Sequence, residues 1–334
     1  MIHLSQRYDT TVSINCKGGI FILKKFVKTI LIILLIIFCL IFTFLIILKN
    51  LASKPISNEY FNAVVSGGTL EEKYTSYGEF EIASLEVDSN EERFDKYKIW
   101  YPKELANDTD KKYPIVLFVN GTGVPYSKYG AIFEHLASWG FVVIGNDDAN
   151  SANGESSSIT LNYILSLNNN KENIFYNKLD IKHIGISGHS QGGVGAINAV
   201  TNFNNSDMFT SIYTASTTSL ELANALEWDY DVTKINIPYF MVAGTGKADA
   251  DTIAPLDSLI KNYDSLNDKV QAVMARRKNI DHGDMLIYAD GYMTAWFRYT
   301  LMNDRDASGI FKGNSPEIFQ NLDNWQDTQT KNLD

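Results

Sequence analysis

Cysteine is nearly missing from this 334-residue chain: Cys16 and Cys39 are the only two, and both precede residue 50. Residues 55–334 therefore hold no disulfide, and at about 280 residues they can bury enough surface without one. With five histidines scattered along the chain, nothing supplies the clustered Cys/His ligands of a zinc site. The spaced aspartates of GTGKADADTIAP lack the glycine and later glutamate of a calcium loop. Positive charge is also short. Residues 1–54 carry seven Lys/Arg against one Asp, so a chain net of −10 leaves −16 on residues 55–334. That excludes a basic nucleic-acid footprint from the larger part, where acidity serves solubility. The Walker lysine and the G-x-G-x-x-G spacing are both missing, which argues against a phosphate cradle or a dinucleotide site. No cofactor is implied.

Charge is absent altogether from Thr29 to Leu48, TILIILLIIFCLIFTFLIIL. As a helix these residues extend about 30 Å, the thickness of a bilayer core. A secretory signal has a shorter apolar stretch followed by a small-residue cleavage site. This run ends instead in Lys49-Asn50, with only Ala52-Ser53 beyond it, so a retained anchor is expected over a cleaved signal. Lys17, Lys24, Lys25 and Lys28 precede the span, and Lys49 and Lys54 follow it. The positive-inside bias leaves residues 1–28 as a cytoplasmic tail and puts the bulk of the chain outside the cell.

Beyond the span, residues 49–75 read as a polar linker. FEIASLEV and YKIWYP form an early strand pair. YPIVLFV (113–119) and FVVIGND (141–147) are continuous apolar runs, as in strands buried on both faces of a parallel sheet. YGAIFEHLASWG between them has helical spacing and a terminal glycine. The alternation continues through IKHIGI, VGAINAV, TSIYTAS, PYFMVAG, VQAVMA and YMTAWFRYTLM. Strand-helix alternation over some 200 residues predicts one doubly wound α/β domain with a mostly parallel sheet. The closing NLDNWQDTQTKNLD is polar and is expected to fray.

One stretch carries chemistry. IKHIGI runs into GHSQGG and then a helical pattern, the strand-turn-helix context of a G-x-S-x-G nucleophile elbow. Gly188 and Gly192 let that turn close without Cβ clashes, and Ser190 stands exposed at its apex. A serine hydroxyl needs a base. His3 lies in the tail, His135 on an early helix, His183 inside the strand, and His189 beside the serine with its ring directed elsewhere. His282, in NIDHGDM, follows the last parallel strand and is the base. The acid follows PYFMVAG, where the loop offers Asp249 and Asp251; its task is to hold the imidazole tautomer. Oxyanion donors are expected from the N–H of Gln191, after the nucleophile, and from NGTGVPY, where Thr122 is chosen. Asn120-Gly121-Thr122 is also an N-glycosylation acceptor. A glycan there would block the oxyanion loop, which points to a bacterial source.

These residues resemble the α/β-hydrolase superfamily, and within it the bacterial polyester-hydrolase and cutinase-like group with its chlorophyllase and dienelactone-hydrolase relatives. The resemblance runs from about Lys96 to about Phe311 and rests on HLASWGFVVI, GHSQGG, DTIAP, DHGDM and GYMTAWFRYTLMNDRDA. It implies an α/β-hydrolase catalytic domain over residues 76–313, with 314–334 as a tail. DTIAP resembles the acid-bearing segment of polyester hydrolases, which favours Asp251 over Asp249, although this loop is a few residues longer. Trp228 falls where that group keeps a substrate-stacking tryptophan. The group's cysteine pair is absent. The expectation is a membrane-anchored serine ester hydrolase acting on short-chain or polyester-like substrates. An envelope acyltransferase with the same triad, or an inactive binding protein on the scaffold, is the alternative.

Overall fold

The structure, a computed structural model, describes residues 16–107 and 110–333, with side chains omitted at 16–24, 48, 49 and 52. The expected cytoplasmic tail thus lies, up to residue 15, outside the described residues. It contains two compact units, Met1–Ala52 and Ser53–Asp334. In the first, helix α1 (Cys16–Ala52) contains an apolar stretch, Lys25–Ile47, long enough to cross a membrane. Its apolar side chains are exposed throughout, from Phe26 to Ile47.

The second unit is built on one nine-stranded sheet. Its strands are β1 (Ile82–Asp88), β2 (Lys96–Pro102), β3 (Tyr113–Val119), β4 (Val142–Asn146) and β5 (Leu179–His189). The remainder are β6 (Ser211–Ala215), β7 (Tyr239–Gly244), β8 (Ala272–Arg277) and β9 (Trp325–Lys331). They lie in the order β1-β2-β4-β3-β5-β6-β7-β8-β9. Strands β3 to β8 are mutually parallel, while β1, β2 and β9 pair antiparallel at the two edges.

Alternation along each strand divides the core into two layers. Leu117, Ile144, Ile186, Ile212, Met241 and Met274 point to one face. That face is covered by α4 (Glu155–Asn169), α5 (Gln191–Thr201) and α7 (Leu256–Ser265), through Leu161, Ile164, Val194, Ile197 and Leu259. Their neighbours Val116, Phe118, Val143, Tyr213, Phe240 and Val273 point to the other. There α3 (Gly130–Ser138) and α9 (Asp290–Met302) pack with Phe133, Leu136, Trp296 and Phe297. Two-sided burial explains why β3 and β4 read as unbroken apolar runs. The architecture is the expected α/β-hydrolase one, a mostly parallel sheet flanked by helices.

Two expectations are corrected. The segment read as a linker is part of the domain from Ser53 onward. Ile56 N–H bonds Lys128 O at 3.0 Å, Tyr60 is buried, and helix α2 (Thr69–Thr75) buries Glu71 and Tyr74. Its polar residues meet polar partners instead of water: Glu71 pairs with buried Arg277 and accepts from Asn321 at 2.8 Å. The polar C-terminal stretch does not fray. It adds β9 to the sheet edge beside β8, with Trp325 stacked on Tyr292 at 5.1 Å. An edge strand tolerates a polar sequence because one flank stays in solvent.

Candidate active site

Every expected reactive residue sits beyond the carboxyl end of a parallel strand, where open α/β sheets gather their ligands. Ser190 follows β5 directly and holds a strained backbone, φ 59° and ψ −125°. The strain is held in place by its surroundings: Ser190 N–H bonds Ala215 O at 3.1 Å, and Gly193 N–H bonds Ser190 O at 2.9 Å. A Cβ at Gly188 would sit 2.0 Å from Gly192 O, and one at Gly192 would sit 2.1 Å from Val119 O. Only glycine lets α5 approach the end of β5 at 188, and the end of β3 at 192, so closely. The turn that the sequence pattern predicts is therefore present, with Ser190 partly exposed at its apex.

His282 lies on the loop after β8, its side chain one-fifth exposed. Its Nδ1 meets Asp249 Oδ1 at 2.8 Å. Asp249 follows β7 and is fully buried. Its second oxygen accepts from Ser216 Oγ at 2.5 Å and from Gly244 N–H at 2.7 Å. Burial alone would raise the Asp249 carboxyl, but the His282 contact and these two donors hold it below its ordinary value. Asp251 is elsewhere. It is exposed and pairs with Lys247 at 2.7 Å. Against the expectation that favoured Asp251, the structure therefore brings Asp249 to His282. Asp249–Ile253 is one wide helical turn, so residues two apart on it project to different sides, and only Asp249 faces the imidazole.

Two further residues shape the site without any motif to announce them. Asp281 accepts from the N–H of His282 at 2.9 Å, Asp249 at 3.1 Å and Ala248 at 3.2 Å, clamping the loop after β7 to the loop after β8. His189 reaches His282: its Nε2 lies 2.8 Å from His282 O, with ring centroids 4.5 Å apart. Burial and then the neighbouring imidazole push His189 down to about 3. It is neutral near pH 7, and the Nε2–H tautomer donates to that carbonyl.

The loop after β3 that carries Thr122 is held from beneath. Tyr129 hydroxyl accepts from Gly121 N–H at 2.8 Å, and Gly123 N–H bonds Ala149 O at 3.0 Å. Gly123 carries a left-handed φ of 71°. Among the described residues, the N–H groups of Thr122 and Gln191 have no internal acceptor. Asn120 is buried, its amide donating to Asn146 O and Asp148 O at 2.7 and 2.9 Å. Trp228 is partly buried at the margin of the α4–α5 layer and borders a polar depression that it shares with Gln191.

Comparison with known proteins agrees with this geometry. A plant protein, chlorophyllase type 0 of Chenopodium album, is 25% identical over 143 residues, covering 38% of this chain. The match takes in 40% of that protein's own length. Residues 69–329 match the family described as PETase, PET hydrolase-like. With an elbow serine on this sheet and a family match over most of its length, the chain belongs to the PET hydrolase-like family within the α/β-hydrolases.

Proposed function

We propose that this protein is a membrane-anchored serine hydrolase that cleaves carboxylic esters outside the cell through a Ser190–His282–Asp249 triad. Family membership supports ester hydrolysis as the reaction class. The observation that carries the finer reading is the 2.8 Å contact between His282 Nδ1 and the buried Asp249 carboxylate. It fixes the proton on Nδ1 and turns Nε2 into the base.

Ser190 Oγ attacks the ester carbonyl as His282 takes its proton. The oxyanion is met by the N–H groups of Thr122 and Gln191, for which no acceptor competes among the described residues. His282 returns the proton to the leaving alcohol. A water, activated by the same imidazole, then cleaves the acyl-enzyme. Asp249 stabilises the imidazolium in both halves, and Asp281 keeps the two loops in register. The apolar stretch of α1 supports placement at a membrane. The test is labelling by a fluorophosphonate, with the modified peptide identified by mass spectrometry. Label on Ser190 is expected, and its loss in Ser190→Ala together with turnover of p-nitrophenyl acetate. A folded Ser190→Ala protein of undiminished activity would refute the mechanism.

A further inference from the structure

Helix α5, whose first residue Gln191 follows Ser190 directly, forms one wall of a depression of about 360 Å³. Gln191, Asn198 and Asn202 lie two and three turns apart on one face of that helix, so all three line it. The facing wall is the turn Glu227–Trp228–Asp229, held with Glu227 at φ 60°. Asn198 ties the walls together by donating to Ala152 O at 2.8 Å and Asp229 O at 3.0 Å. Its own oxygen accepts from Asn202 Nδ2 at 2.9 Å.

The chemistry left over at this surface is specific. Arg93, the cation that borders it, is already engaged by Asp148 at 2.8 Å, Glu155 at 2.6 Å and Asn150 O at 2.6 Å. With no free cation among the lining residues and the Glu227 carboxylate present, an anionic ligand is disfavoured. Gln191 is 1% exposed, and its Oε1 accepts from Ser151 N–H at 3.2 Å. Among the described residues its Nε2 has no acceptor, and the same holds for the Trp228 indole N–H. The Asn202 amide oxygen likewise lacks a donor. An acyl chain laid here would strand these groups. Mixed donors and acceptors beside an aromatic face suit a neutral ring of hydroxyls with an apolar C–H face.

We infer that this depression binds the alcohol half of the ester, and that this alcohol is a neutral sugar: the substrate is an O-acylated carbohydrate. The inference rests on the ester-hydrolase reading above. Ser190 Oγ bonds the acyl carbon, the bond from that carbon to the sugar oxygen breaks, and the proton held by His282 passes to the sugar oxygen. Water then releases the carboxylic acid.

The test compares 6-O-acetylglucose with cyclohexylmethyl acetate, the same primary acetate on a ring without hydroxyls. The full-length protein is used in detergent micelles. The ratio of kcat/KM values cancels any loss of folded enzyme. The sugar ester is expected to be favoured by about tenfold or more, because unmet polar groups penalise the carbocycle. In Asn202→Leu and Trp228→Ala that ratio is expected to fall toward one. A wild-type ratio near one, or a ratio untouched by Asn202→Leu, overturns the inference and leaves an ester hydrolase standing. If neither of these esters nor p-nitrophenyl acetate is turned over, the hydrolase reading fails. Saturation-transfer NMR with methyl β-glucoside on Ser190→Ala then decides the site alone. Signal that disappears in Asn202→Leu supports it, and no signal overturns it.

Discussion

Asp249 and Asp251 stand two positions apart, yet one is sealed beneath His282 and the other is salted to Lys247 in solvent. Asp249→Asn is expected to lower kcat by on the order of 10³- to 10⁴-fold, since an amide no longer secures the tautomer. Asp251→Asn removes only a surface ion pair and is expected to stay within about twofold. Steady-state kinetics on p-nitrophenyl butyrate separates the two, and the reverse ranking would return the acid to Asp251. His189 adds a second residue-scale expectation. With its proton already lost near pH 3, it contributes no ionisation to the activity profile around neutrality. His189→Gln keeps a donor for His282 O and is expected to leave the shape of the pH profile unchanged. His189→Phe removes the donor and is expected to lower kcat further than the glutamine variant does.

Among the elements, the segment from Ser53 to α2 does the least expected work. Tyr60 hydroxyl donates to Asp290 at the start of α9 at 2.5 Å, and His135 of α3 meets the same carboxylate at 2.7 Å. His135 also bonds Ser76 O at 2.9 Å, and Thr294 and the Tyr77 ring complete its surroundings. One buried carboxylate thus joins the N-terminal segment to helices on the α3–α9 face. Tyr60→Phe leaves that carboxylate short of a donor and is expected to cost about 1–3 kcal/mol. A chain beginning at Ser53 is expected to be soluble and active, while one beginning at Gly68 melts several degrees lower. Equal melting temperatures would show the segment to be a passive tether. Burial works against the charged form of His135, but Asp290 and Ser76 O outweigh it and raise His135 above its ordinary value. A raised folded value stabilises below the unfolded value of about 6.5, and that contribution is lost as pH climbs through the folded one. The melting-temperature advantage of wild type over His135→Gln should therefore shrink as pH rises above about 6.5. An advantage that grows with pH would contradict this.

At the scale of the whole domain, the feature that bears on access is how little chain separates β6 from β7. Lids in this superfamily are often inserted after the strand that follows the elbow helix. Here β6 ends at Ala215 and β7 begins at Tyr239, and one short helix, Leu220–Ala225, with a tight turn, Val232–Lys234, occupies the interval. Nothing of domain size is available there to close over Ser190. Esters of p-nitrophenol from acetate to palmitate are expected to show a maximum at short chains. No jump in rate is expected at the micelle threshold. A long-chain maximum with such a jump would mark a lipase with a moving lid.

The sequence by itself determined the sheet and the elbow. Two-sided burial writes itself as unbroken apolar runs at β3, β4 and β7, and the close approach of α5 to β5 and β3 admits only glycine at 188 and 192. His282 was legible because chain order leaves no other histidine after the serine. What the tertiary structure decided were matters of direction and pairing. Asp249 and Asp251 differ by which side of one helical turn they leave, and DTIAP cannot report the rotation imposed by a longer loop. Asp281 meets the N–H groups of Ala248 and Asp249, and His189 the carbonyl of His282, backbone groups distant in sequence that no residue pattern records. The stretches around Glu71 and β9 looked solvated because they are polar. Their partners, Arg277, Asn321 and the flank of β8, come from about fifty to some two hundred and fifty residues away in the chain. Polarity reports that a group needs a partner, and only the fold determines whether that partner is water or protein.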